Sequence, residues 1–138
     1  MGLAFAAQAK GEDTVALAFV GDGATSEGDF HEALNFAAVF HLPVVFFVQN
    51  NQYAISVPVS RQTAAPSLAH KAVGYGMPGV LVDGNDVAAV LSVVGEAARR
   101  AREGRGRRSS RRRRTGSTPT PTPTTPPGTA RTRRSPAG

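Results

Sequence analysis

The stretch from Val15 to Asn51, VALAFVGDGATSEGDFHEALNFAAVFHLPVVFFVQNN, decides the fold. Its first six residues are a continuous apolar run that stops at Gly21-Asp22-Gly23, the pattern of a buried strand entering a tight turn. From Glu27 to Phe40 the apolar residues Phe30, Ala33, Leu34, Ala37, Ala38 and Phe40 recur at helical spacing. Thr25 or Ser26 is positioned to cap that helix, and the acids Glu27 and Asp29 fall in its first turn, where the helix dipole favours negative charge. Pro43 to Val48 is a second apolar run, halted by Gln49-Asn50-Asn51. Strand, helix, strand is the repeat of an α/β fold. Strands that are apolar throughout, rather than alternating, predict a mostly parallel sheet covered by helices on both faces.

Working outward, Gly2 to Lys10 reads as an Ala-rich helix that Met1 cannot cap, so the chain is expected to begin inside an element. Tyr53 to Val57 is a candidate short strand, and Leu68 to Tyr75 a short helix ended by Gly76 and Pro78. Val80-Leu81-Val82 reads as a further strand closed by Asp83-Gly84-Asn85, after which Asp86 caps a helix reaching Arg100 or beyond.

Charge divides the chain in two. Residues 1–104 hold two Lys, four Arg and all ten acids, a net charge of −4, whereas residues 105–138 hold ten Arg and no acid. The second part contains no Val, Ile, Leu, Met, Phe, Tyr or Trp, so it cannot bury enough apolar surface to offset its ordering entropy and is expected to be disordered. With no Cys, the chain has neither a disulfide framework nor a thiol nucleophile. No apolar run approaches the length of about 18 residues that a membrane span needs, and no signal-peptide pattern follows Met1. No membrane partner and a cytoplasmic location are expected.

In open parallel sheets, ligands bind beyond the carboxyl ends of the strands. If the two strands are neighbours, Asp22 and Asn51 project over one edge, where a carboxylate and a carboxamide suit Mg²⁺ that also binds phosphate oxygens. Gly23 would permit close approach of a diphosphate, and a helix beginning near Thr25 would point its free N–H groups at that anion. A plain strand-to-helix turn is the competing reading on these residues alone.

Residues 21–38, Gly-Asp-Gly-Ala-Thr-Ser-Glu-Gly-Asp-Phe-His-Glu-Ala-Leu-Asn-Phe-Ala-Ala, resemble the thiamine-diphosphate motif of 2-oxo acid dehydrogenase E1 alpha subunits. That motif opens with Gly-Asp-Gly and closes with Asn-Asn after 26 residues, and here 26 residues separate Gly23 from Asn50. Tyr53-Ala54-Ile55-Ser56 and Val82-Asp83-Gly84-Asn85-Asp86-Val87 extend the resemblance, which covers residues 3–104 and roughly the middle third of a family subunit. It implies a partial thiamine-diphosphate-binding domain at 1–104 that takes part in oxidative decarboxylation of pyruvate or branched-chain 2-oxo acids, with acyl transfer to lipoyl groups. It further implies that Asp22, the Asn51 side chain and the Tyr53 carbonyl bind Mg²⁺, while Gly21, Asp22, Gly23, Ala24 and Asn51 contact thiamine diphosphate. An E1 beta subunit and a lipoyl-bearing E2 core are the implied partners, and no catalytic residue is named in this chain. His31 is read as a packing or interface residue, His41 as a helix-end residue, and His70 is uninformative.

Two readings address residues 105–138. As an evolved basic arm, Arg111 to Arg114 would bind nucleic acid phosphates, giving a nucleic-acid-binding protein. The preferred reading takes the tail as the right DNA in the wrong frame. Shifted codons across it permit the Tyr-Arg, Pro-His-Thr and Asp-Asp landmarks that family members carry next, in that order. Loss of one base after the Gly104 codon suffices. The family histidine that reaches the diphosphate would lie in that lost frame, and other cofactor contacts before Met1, so the chain is expected to be inactive alone.

Overall fold

The computed structural model describes residues 1–104. The tail, with its expected disorder and both of its readings, lies outside the described residues. Helix α1 (Gly2–Lys10) is followed by strand β1 (Ala16–Gly21), a 3-10 turn (Gly23–Ser26), helix α2 (Gly28–Phe40) and strand β2 (Val44–Gln49). A hairpin of β3 (Tyr53–Ala54) and β4 (Val57–Pro58) leads through a 3-10 turn (Val59–Arg61) to the short helix α3 (His70–Val73) and the long helix α4 (Val87–Glu103).

Strands β1 and β2 are parallel neighbours, paired from Ala16↔Val44 to Gly21↔Gln49, with α2 as the crossover. The register extends one residue further, because the Asp22 N–H donates to the Gln49 carbonyl at 3.1 Å. Both polar strand ends therefore emerge side by side at one end of the sheet, as the α/β reading requires.

The core is small. Ala4 of α1, Ala37 of α2, Leu42 and Val44 are buried together, with Ala16, Phe40, Phe46 and Met77 packed against them. Ala4 and Ala7 lie three apart on one face of α1 and are its buried residues. The Gln8 amide then donates to the carbonyls of Phe40 and His41, capping the C-terminal end of α2. His41 ends α2 in the left-handed conformation, which fits its expected helix-end role.

Several expectations are corrected. The cover is incomplete at β1, which alternates between partly buried and exposed residues and leaves Leu17 44% and Phe19 64% exposed, with Phe19 packed on Phe47, while β2 is contacted by α4. A continuous apolar run reports what a strand can bury, and no described element lies over that side of β1. Val80-Leu81-Val82 is irregular rather than a strand, since no described strand lies beside it to complete a hydrogen-bond ladder. Helix α2 begins at Gly28, not near Thr25. Its N-cap is Glu27, in extended conformation, and no side chain caps it. The expected Asp86 cap of α4 is present, its Oδ1 accepting from the Ala89 N–H at 3.0 Å. Among the described residues no helix is long and apolar enough to cross a membrane.

Candidate functional site

Asp22 follows β1 directly and is 2% exposed. Its carbonyl accepts from the Thr25 hydroxyl at 2.6 Å and from the Thr25 N–H at 3.1 Å. This is why Thr25 does not cap α2: the 3-10 turn directs its hydroxyl back three residues instead. Thr25 is fully buried, and Lys71 clamps it from α3, donating to the Thr25 carbonyl at 2.7 Å and to its hydroxyl at 2.9 Å. Partial burial lowers the Lys71 pKa from its ordinary value.

The Asp22 carboxylate makes no ion pair among the described residues. Its Oδ2 accepts from the neutral Gln62 amide at 3.4 Å, and Gln62 also donates to the Val57 carbonyl at 2.9 Å. A buried carboxylate held by one neutral donor is an uncompensated charge, and a cation at that position would offset its cost.

On the neighbouring strand end, two successive turns fix the amide side chains. Asn50 Oδ1 accepts from the Gln52 N–H and Asn51 Oδ1 from the Tyr53 N–H, each at 3.0 Å. The Val59 N–H donates to the Gln52 carbonyl, which makes Tyr53↔Pro58 the non-hydrogen-bonded pair of the hairpin. The Tyr53 carbonyl accordingly faces away from β4, along the edge where its N–H meets Asn51, and is left available as a ligand. Pro58 opposite, lacking an N–H, could not have claimed it.

The hairpin lies against the motif turn. A Cβ at Gly23 would stand 2.6 Å from the Ala54 Cβ, so the glycine is required there by the hairpin's own approach. The expected close approach of a diphosphate is thus not the reason that side of Gly23 must stay bare. Gly21 and Ala24 are exposed on either side of Asp22. Among the described residues no group of three or more His, Cys, Asp or Glu side chains could hold a metal. Any centre here relies on one carboxylate with amide and carbonyl oxygens, a hard-donor set that suits Mg²⁺.

The sequence reading missed three contacts: Gln62 on Asp22, Lys71 on Thr25, and Tyr75 on His31, whose Nδ1 lies 2.7 Å from the phenol oxygen. The last gives His31 a hydrogen-bond partner from a distant part of the chain. His70 pairs with Ser67 at 2.9 Å. No local signal announces any of these contacts except His70–Ser67, because the other partners stand 40 or more residues apart.

A family model described as "Dehydrogenase E1 component" matches residues 1–107. The chain is 72% identical over 106 residues to the 3-methyl-2-oxobutanoate dehydrogenase subunit alpha of Mycobacterium tuberculosis, covering 77% of this chain and 29% of that protein. It is 50% identical over 105 residues to the pyruvate dehydrogenase E1 component subunit alpha of Staphylococcus aureus, covering 76% of this chain and 28% of that protein. The chain thus spans less than a third of the length of these curated relatives.

Proposed function

The chain belongs to the dehydrogenase E1 component family, and from that membership we propose that residues 1–104 form the cation and diphosphate half-site of a 2-oxo acid dehydrogenase E1 alpha subunit. The observation that carries the reading is the buried Asp22 carboxylate, without an ion pair among the described residues, at the end of β1, whose paired neighbour β2 leads directly into Asn51 and Tyr53. These oxygens fit Mg²⁺: Asp22, Asn51 and Tyr53 would hold it, with Gly21, Gly23, Ala24 and Asn51 along the diphosphate. Bound thiamine diphosphate supplies the carbanion-stabilising chemistry of 2-oxo acid decarboxylation and acyl transfer to lipoyl groups. This chain's residues contribute position: Thr25 and Lys71 fix the turn that carries Asp22, and the hairpin fixes Tyr53.

The substrate class follows the more similar of the two relatives, a branched-chain 2-oxo acid, with pyruvate as the second candidate. An E1 beta subunit and a lipoyl-bearing E2 core complete the proposed assembly, in the cytoplasm. The family match favours this over the nucleic-acid-binding reading. Residues 105–138 are proposed to be out of frame. The match ends at 107, next to the change in composition, which supports that reading, and resequencing across the Gly104 codon tests it.

Calorimetric titration of thiamine diphosphate into the 138-residue chain tests the half-site. Binding heat is expected with Mg²⁺, and none with a chelator present or in Asp22→Asn. Binding that ignores both Mg²⁺ and Asp22 would overturn the assignment. No decarboxylation of 3-methyl-2-oxobutanoate or pyruvate is expected from the chain alone, and turnover there would contradict an incomplete site.

A further inference from the structure

Gln62 follows the 3-10 turn beyond the hairpin, and its amide points into the motif. Nε2 donates to Asp22 Oδ2 and to the Val57 carbonyl. Its Oε1 is shielded from solvent and has no partner among the described residues. Turning the amide over would not help, since Oε1 would then face a carboxylate and a carbonyl, both acceptors. The hydrogen-bond network fixes the orientation and leaves the oxygen unpaired. A Cβ built on Gly23 would stand 3.9 Å from this oxygen, so it borders the Asp22–Gly23 turn.

An unpaired buried amide oxygen is costly, and folded proteins rarely keep one without a donor. The donor must fit beside a carboxylate at the proposed cation site. Mg²⁺ gives up its hydration reluctantly and keeps several waters, each an O–H donor polarised by the metal. We propose that Gln62 is a positioning residue of the cation site, its Nε2 orienting the Asp22 carboxylate and its Oε1 accepting a hydrogen bond from a cation-bound water. This rests on the half-site reading. Outer partners of this kind tune metal affinity by about 10- to 100-fold.

The test uses the ¹⁵N-labelled 138-residue chain with thiamine diphosphate and Mn²⁺ as the paramagnetic probe. Mn²⁺ is expected to broaden the side-chain amide signals of Gln62 and Asn51 and to leave Gln8 sharp, because Gln8 sits at the far end of α2. Gln62→Met, similar in shape but with neither donor nor acceptor oxygen, is expected to bind Mn²⁺ about tenfold more weakly with an unchanged backbone spectrum. If Asn51 broadens while Gln62 stays sharp, or Gln62→Met binds as the parent does, the role of Gln62 is overturned and the half-site stands. If the parent binds no Mn²⁺, both fall together. Should Gln62→Met fail to fold, the broadening pattern of the parent decides.

Discussion

The motif turn and helix α4 are built on opposite plans. Around Asp22 and Thr25, burial is nearly complete, and the tertiary hydrogen bonds reach 40 residues to Gln62 and 46 to Lys71. Helix α4 has no buried residue, and it exposes Val87 and Leu91. Its side-chain fixings are mostly local, the Asp86 cap, Glu96 with Arg99 and Arg100, and Arg99 with Glu103, while Arg102 reaches Asp13 near the start of the chain and the helix contacts β2. The turn proposed to hold oxygen donors is tied down by distant parts of the chain. Helix α4 combines local ion pairs with a partly buried apolar stripe laid against β2.

The largest effect that sharpens this contrast is expected at Gly23. Gly23→Ala drives a methyl group into the Ala54 side chain, at an expected cost of about 1–3 kcal/mol, the usual range for overpacking. Gly28→Ala, where a Cβ meets nothing within 4 Å, should cause no such loss, and urea unfolding of both variants checks the difference. Equal losses would mean the hairpin does not press on the turn. Next comes Asp86→Ala, expected to remove about 0.5–2 kcal/mol of α4 stability by loss of the cap, read from helical circular dichroism under denaturant. Signals from the motif turn should barely move in that variant.

The smallest effect is the acid response of α4. Hydrogen bonds from Arg99 and then Arg100 pull the Glu96 pKa from 4.5 down to about 2. A depressed folded-state value contributes stability that is present above the unfolded pKa and lost as pH falls through the folded one. Helix content in α4 should therefore decline between about pH 4.5 and 2, and the Glu96→Gln variant should lack that component. Because the pair is exposed, salt should shrink the difference. A decline unaffected by the substitution would place the acid sensitivity elsewhere.

The same contrast explains what the sequence made legible. The alternation of β1, α2 and β2, the helices α1 and α4, and the Asp86 cap all rest on patterns a few residues long. Asp22 and Asn51 could be paired because the two runs have equal character and end in polar clusters, so a parallel register sets the clusters side by side. Gln62, Lys71 and Tyr75 could not be found that way, since nothing near them in sequence refers to residues 22–31. Thr25 misled because a threonine ahead of a helix looks alike whether its hydroxyl caps forward or bonds back to residue 22. Val80 to Val82 misled because apolar, β-branched residues announce a strand without announcing its partner.

Asp22 and Asn51 are proposed to share a single cation, and a double-mutant cycle on Mn²⁺ affinity in the presence of thiamine diphosphate tests this most directly. Asp22→Asn, Asn51→Ala and the double variant are compared with the parent chain. Residues that ligate one ion should be coupled by about 0.5–3 kcal/mol, the second substitution costing little once the first is made. Losses that add within about 0.5 kcal/mol would show two independent sites and contradict the shared centre.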